Sequence, residues 1–330
     1  MIAALAICAG AWWWASGRHP SPTDAAAAAV ERAGTAAPAT ANASAEPEVR
    51  PAARPAPAPL PPRGAPIDSI ALALQQRADA GDSLAACRLG IELIRCRQVM
   101  HHESNRPFLA KRMEQAEEEG ELAYAEALRQ RDADYTRLAL SCADVPAALR
   151  ERGGAYLRQA ARAGEPEAML RYADGQAFDV RDGYAYLSSP DFDPWRREAP
   201  VMLQRALAMG RPEAVHLLYA AYGSDDGLLS SLVPNDPESA RAYQMLAVRM
   251  QGAGGPRLLG RFDVVKPTPE QWRRAIERSA EWHQRHFGSR RIDSARALDG
   301  LAPLHDPLGS SNIQGEPAAF CDRAGNASRD

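Results

Sequence analysis

Alanines and larger apolar residues recur along this chain at helical spacing, in blocks broken by glycine. The anchoring glycines Gly81, Gly120, Gly164 and Gly210 are separated by 39, 44 and 46 residues. Five positions before each stand Gln76, Gln115, Gln159 and Arg205. Four before come Ala116, Ala160 and Ala206, with Arg77 in the first block and Ala78 one step later. Four after each glycine Ala85, Ala168 and Ala214 recur, Tyr124 being the exception, and eight after stand Leu89, Leu128, Tyr172 and Leu218. Alanines on facing helices let two backbones approach, and the larger residue one turn later fills the groove between them. The glycine supplies the left-handed residue on which helices commonly end. Pro166 and Pro212 then suit a first helical position, and Glu167 and Glu213 the positive end of the helix dipole. In the first block Asp82 or Ser83 can cap instead. The pattern predicts antiparallel helix pairs. Its period is that of a helical repeat array, which buries its core between neighbouring pairs and presents a long concave surface.

The elements read from this pattern are helices over 67–80 and 83–97, then a polar loop holding His101, His102, Glu103 and Pro107. Helices over 107–119 and 121–141 form a second pair, 146–163 and 166–173 a third, 199–209 and 212–222 a fourth. A long insertion from Asp174 to Pro200 separates the third from the fourth, and Pro237–Met250 begins a fifth. A last helix starts at Thr268-Pro269-Glu270-Gln271, a capping box with proline at the first position, and runs to about Phe287. Its Trp272, Ile276, Ala280 and Phe287 suit packing on the last pair as the end cap that a repeat array requires.

Composition divides the chain. Residues 18–66 hold 17 Ala and 11 Pro and no Phe, Trp or Tyr, too little apolar surface to offset the entropy of ordering. That stretch reads as a disordered linker stiffened by proline, reaching at most roughly 150 Å at about 3.1 Å per residue. Ahead of it residues 1–17 carry no charge. Their length and the cluster Trp12, Trp13 and Trp14 favour an uncleaved membrane anchor over a cleaved signal peptide. The resulting layout is an anchor or signal segment 1–17, the linker 18–66, the repeat array 67–262, a capping-helix region 263–298 and a poorly ordered tail 299–330. An anchor, a linker and a folded domain in that order fit a bacterial inner-membrane protein whose domain faces the periplasm. A net charge of −3 and the absence of a basic patch interleaved with aromatics exclude a nucleic-acid binder.

Four cysteines follow Cys8: Cys87, Cys96, Cys142 and Cys321. An even number in an exported chain suggests disulfides, with three possible connectivities. Cys87 and Cys96 stand nine residues apart, about 13 Å along one helix and too far to bridge. The favoured pair is Cys96–Cys142. For Cys87, inside the Ala-rich helix, a buried free thiol is at least as good a reading.

The stretch Tyr156–Gly175, YLRQAARAGEPEAMLRYADG, resembles the Sel1-like branch of the tetratricopeptide superfamily, with its Ala-Ala-x-x-Gly turn, the alanine four residues on and the Tyr-x-x-Gly close. Ala86–Gly90 and Leu203–Tyr219 match less completely, the Gly-x-Gly-Val loop of the family is absent, and the resemblance spans about 67–262. It implies an all-α fold, an α-solenoid of about four to five helix pairs with a C-terminal capping helix, and a scaffold that binds proteins or peptides. It also implies an alternative, a cell-wall or β-lactam-related enzyme, since some Sel1-like proteins are linked to penicillin binding. Self-association is a third possibility.

Candidate chemistry is sparse. There is no Gly-x-x-x-x-Gly-Lys loop, no Gly-x-Ser-x-Gly elbow and no His-Glu-x-x-His, so the chain reads as a non-enzyme without a cofactor. His283 and His286 share a helix face, but two ligands do not make a metal site, and His101-His102-Glu103 is weaker still. His216 reads as a packed core histidine. Gly252–Gly260, GAGGPRLLG, follows a helix and has Arg257 where a dinucleotide loop needs its third glycine, so it reads as a turn. The insertion is the candidate binding element. Its Tyr184, Tyr186, Phe192 and Trp195 offer large contact area of the kind that dominates binding hot spots. The competing reading has them folding back to seal a groove between the third and fourth pairs.

Overall fold

The computed structural model of the protein describes residues 59–62, 65–179, 184–224, 228–251, 266–292 and 321, except the side chains of residues 101, 102 and 105. The segment 1–17, most of the linker, the glycine-rich turn at 252–260 and the tail other than Cys321 lie outside them, as do the imidazoles of His101 and His102. All described residues belong to the unit Pro57–Asp330. Among them no helix is long and apolar enough to cross a membrane.

The described residues form ten α-helices and no strand: α1 (Ile67–Asp79), α2 (Ser83–Glu118), α3 (Leu122–Cys142), α4 (Ala147–Arg150), α5 (Gly153–Ala163), α6 (Pro166–Ala173), α7 (Phe192–Ala208), α8 (Pro212–Gly223), α9 (Pro237–Gln251) and α10 (Pro269–Phe287). The fold is all-α. The four anchoring glycines are all left-handed, with φ of 90°, 75°, 95° and 73° in chain order. At each, the amide of the next residue reaches back to the carbonyl four before the glycine. The bonds are Asp82 to Arg77, Glu121 to Ala116, Glu165 to Ala160 and Arg211 to Ala206, all between 2.8 and 3.1 Å. This closes the helix end with otherwise orphaned carbonyls satisfied, and only glycine takes that φ without strain. The following helix starts on its own signal: Pro166 and Pro212 at the first turn, and the Asp82 carboxylate accepting from Leu84 and Ala85 at 3.1 Å. The expected capping box of α10 is present, Thr268 and Gln271 bonding reciprocally.

Helices pack largely on their chain neighbours: α1 on α2, α5 on α6, α6 on α7, α7 on α8, α8 on α9 and α9 on α10. The first helix of a pair buries one stripe, as in Ile67, Ile70, Ala71, Leu74 and Ala78 of α1 or Tyr156, Leu157, Ala160 and Ala161 of α5. The second helices are enclosed: Glu167 through Ala173 of α6 and Pro212 through Tyr219 of α8 are buried without a break. Gln159, five before its glycine, ties the third pair to the first by donating to the Ala78 carbonyl at 2.7 Å.

The pair at Gly120 departs from the expected series. No loop interrupts residues 98–107; α2 is one helix of 36 residues that runs straight through Pro107. Pro107 is exposed and removes one rung of the ladder, while Arg106 beside it bonds Asp132 and Thr136 of α3 and holds the helix on course. The first half of α2 receives α5, not α3. A Cβ on Gly90 would lie 2.7 Å from the Leu157 amide nitrogen, and one on Gly153 would lie 3.0 Å from Ile94, so the two backbones meet over glycine. The second half of α2 pairs with α3 as a projecting hairpin. The disulfide Cys96–Cys142, the pair favoured above, joins its two ends at the base. Cys87 is bonded to Cys321 instead of being a free thiol. Sequence distance hid that partner in a tail read as poorly ordered.

Candidate functional site

The open face of α5 carries Gly154, Ala155, Arg158 and Arg162 at helical spacing, with Glu151 one turn ahead of it. Together with Arg97 of α2, Tyr172 of α6 and the segment after it, this stripe walls a groove of about 660 Å³. Phe178, Tyr186 and Asp191 line the opposite side.

That opposite side is built by the aromatic insertion. Trp195 is 0 % exposed, and its indole N–H donates to the Tyr172 carbonyl at 2.7 Å. Phe178 meets Trp195 edge-on at 5.4 Å between centroids, Phe192 stacks on it at 5.6 Å, and Tyr186 lies 5.9 Å from both Phe178 and Phe192. Such geometries are those aromatic pairs prefer, and a buried indole needs its partner. Of the two readings of the insertion, the one that folds it back against the third pair holds for Trp195, and the expectation of a partner-facing side chain is corrected at that residue. Trp195 is core, Phe192 and Tyr186 are half-buried, and Tyr184 alone stands out, 79 % exposed. The physical reason is helix α7, which begins at Phe192 rather than near Pro200 and turns Trp195 and Ala199 inward, one turn apart.

Glu198, on the same helix, organises the groove wall. Arg158 donates to it at 3.1 and 2.7 Å, Arg162 at 3.3 and 2.5 Å, and the Tyr172 hydroxyl at 3.3 Å. Hydrogen bonds from Arg158, then Arg162, pull its carboxyl down to about 2 against the opposition of burial. Burial, then the neighbouring Glu198 charge, pushes the Tyr172 phenol up. Arg158 also reaches the exposed Asp191 at 3.4 Å, and Arg97 donates to the Ala177 carbonyl at 3.0 Å. The groove thus offers guanidinium donors beside an aromatic wall, with the carboxylates of Glu151 and Asp191 also lining it.

A second polar system lies inside the second helices and away from the groove. Arg88 pairs with Glu92, and Arg171 with Glu167, each at 2.9 Å and one turn apart. Arg211 bridges Glu167 at 3.2 Å to Glu213 at 2.8 Å. Arg171 continues through Gln176 to Asp174, with bonds of 2.8 and 2.7 Å. Burial pushes Asp174 up to about 6 and Glu167 upward too, but neither lines the groove. His216 is buried, as a core histidine would be. Desolvation lowers it to about 4, and its Nε2 lies 2.9 Å from the Gln251 side-chain nitrogen, so a neutral ring accepts there. Among the described residues no three His, Cys, Asp or Glu side chains converge as metal ligands. His283, on exposed α10, contacts the Arg290 carbonyl at 2.9 Å.

Comparison with protein-family models, with curated proteins and with solved structures gives no match. The site therefore stands on its own geometry. Sequence reasoning missed its central carboxylate, Glu198, which had been placed within the insertion. The signal that could have found it is the Arg158/Arg162 pair one turn apart on a helix whose buried stripe lies elsewhere, a pair that calls for an acid nearby.

Proposed function

We propose that this chain is an interaction scaffold, an α-solenoid of Sel1-like helix pairs capped by α10, that takes a segment of another protein into the groove between α5 and the aromatic wall. The observation that carries the reading is the groove itself. Its donors are pinned by Glu198 and its aromatic side is held by the buried Trp195, so both walls are set before a ligand arrives. Preorganised walls of this kind lower the ordering cost of binding a peptide. Neighbour-on-neighbour packing of the helix pairs supports the solenoid reading. Two disulfides suit an oxidising compartment, which supports a domain facing the periplasm, held to the inner membrane by residues 1–17 through the linker.

The test is site-specific photocrosslinking in the full chain. A crosslinker in place of Ala185 or Ala155 on the groove is compared with one in place of Leu140 on the projecting hairpin. A discrete partner adduct from the groove positions and none from Leu140 is the expected result. Adducts from Leu140 alone would move the binding surface to the hairpin, and adducts from neither would remove the scaffold reading.

A further inference from the structure

The turn after α6 carries part of the groove wall and is tied together by one buried amide. Asp174 caps the helix, Gly175 is left-handed with φ of 79°, and Ala177 and Phe178 then line the groove. The Gln176 amide closes the turn on the Arg171 carbonyl at 3.1 Å, and the Phe178 amide on the Gly175 carbonyl at 3.0 Å. Inside it lies the side chain of Gln176, 0 % exposed. Arg171 can only donate, so its bond of 2.8 Å fixes the Gln176 oxygen on its own side and turns the amide nitrogen to Asp174 Oδ2, at 2.7 Å. Asp174 therefore meets a neutral amide where an enclosed carboxylate calls for a cation. Among the described residues no cation forms an ion pair with it.

The charges nearby are engaged elsewhere. Arg171 pairs with Glu167 on α6, and Arg211 bridges Glu167 to Glu213 of α8. On α2, Arg88 and Arg95 both hold Glu92. On the groove side Arg97 bonds the Ala177 carbonyl, while Glu198 of α7 holds Arg158 and Arg162 of α5. We propose that Asp174 makes this turn an acid-tightened latch: a proton taken up there favours the closed turn and firms the wall that Ala177 and Phe178 give to the groove. The proton goes to Oδ1, and Oδ2 still accepts from Gln176. Burial, outweighing the Gln176 bond and the Arg171 charge, lifts the carboxyl from 3.8 to about 6 while the turn is closed. An open turn returns Asp174 to water and toward its ordinary value, so the closed turn binds the proton more tightly. The gain is complete below 3.8 and is lost as pH rises through 6. This inference concerns the groove wall and does not depend on what the groove takes.

Amide hydrogen exchange of the full chain, read by mass spectrometry and corrected for the intrinsic pH dependence of exchange, tests it. Protection of the peptide covering residues 174–178 is expected to rise about tenfold from about pH 7.5 to about pH 5, with no such rise in α10. Asp174→Asn keeps the shape and removes the charge, and it is expected to show the acid level of protection at both pH values. A wild-type peptide that stays within about twofold overturns the latch, and so does a rise shared equally by α10. A rise that persists in Asp174→Asn overturns the assignment to that carboxyl.

Discussion

The pairs at Gly81, Gly164 and Gly210 and the pair at Gly120 use one turn and come to different ends. All four glycines share the left-handed backbone and the same back-bonded carbonyl. Three of the pairs lie side by side with their second helices enclosed. The fourth leaves the body as a hairpin whose buried side chains on α3 number only Ala125, Leu128, Tyr135 and Cys142. The turn therefore sets that two helices fold back on each other and says nothing about what the pair packs against. That is decided one turn into the second helix. Ala85, Ala168 and Ala214 are 0 % exposed where helices meet, whereas Tyr124, at the same register, is 41 % exposed and bonded to Arg112.

The sharpest way to break the comparison is to remove an acid from each region. Glu167→Ala leaves Arg171 and Arg211 inside the body without it, and the expected loss is about 3–5 kcal/mol in denaturant unfolding. Glu117→Ala removes the half-exposed partner of Arg129 on the hairpin, and the expected loss is below about 1 kcal/mol. Equal losses would erase the distinction between the regions.

Glycine gives the next contrast. Gly90→Ala forces a methyl to 2.7 Å from the α5 backbone, with an expected cost of about 1–3 kcal/mol and a loosened α2–α5 contact. Gly120→Ala meets nothing within 4 Å, so only the cost of a positive φ remains, about 1 kcal/mol, and thermal unfolding should keep the body intact.

Acid provides a graded probe of the body. His216 is lowered from 6.5 to about 4, so the unfolded chain takes up the proton first and stability falls as pH drops through that window. Glu198, lowered from 4.5 to about 2, stabilises fully above 4.5 and loses that contribution as pH drops toward 2. His216→Gln should flatten the first decline and Glu198→Gln the second in stability measured against pH. A profile unchanged by both would place the acid sensitivity elsewhere. The smallest effect expected is from Tyr124→Ala, within about 0.5 kcal/mol by denaturant unfolding, as befits an exposed register position.

Much of this was legible because it is local. Left-handed glycines, proline at first helical positions and the Thr268–Gln271 box announce helix ends through neighbouring residues alone. The exceptional Tyr124 already marked the exceptional pair. What stayed hidden depends on contacts across the chain. Helix α2 passes Pro107 because α3 braces it, Trp195 turns inward because the Tyr172 carbonyl waits for its N–H, and Cys87 finds a partner 234 positions away. For the insertion both orientations were open in the sequence, and contacts across the chain decide between them residue by residue, Trp195 folding back and Tyr184 standing out. The arginines of α5 acquire meaning only once α7 brings Glu198 beside them.

The staple at the base of the projecting hairpin has a mechanical consequence. Helix α3 has 21 residues and so extends about 30 Å. With Cys96 and Cys142 sewn together, its two strands of helix cannot slide past one another at the root, and the hairpin moves as a single lever. A tilt of about 5° at the root carries the tip about 3 Å, half the pitch of a helix, so a shift too small to disturb the body's packing is delivered at Gly120 as a displacement the size of a side-chain contact.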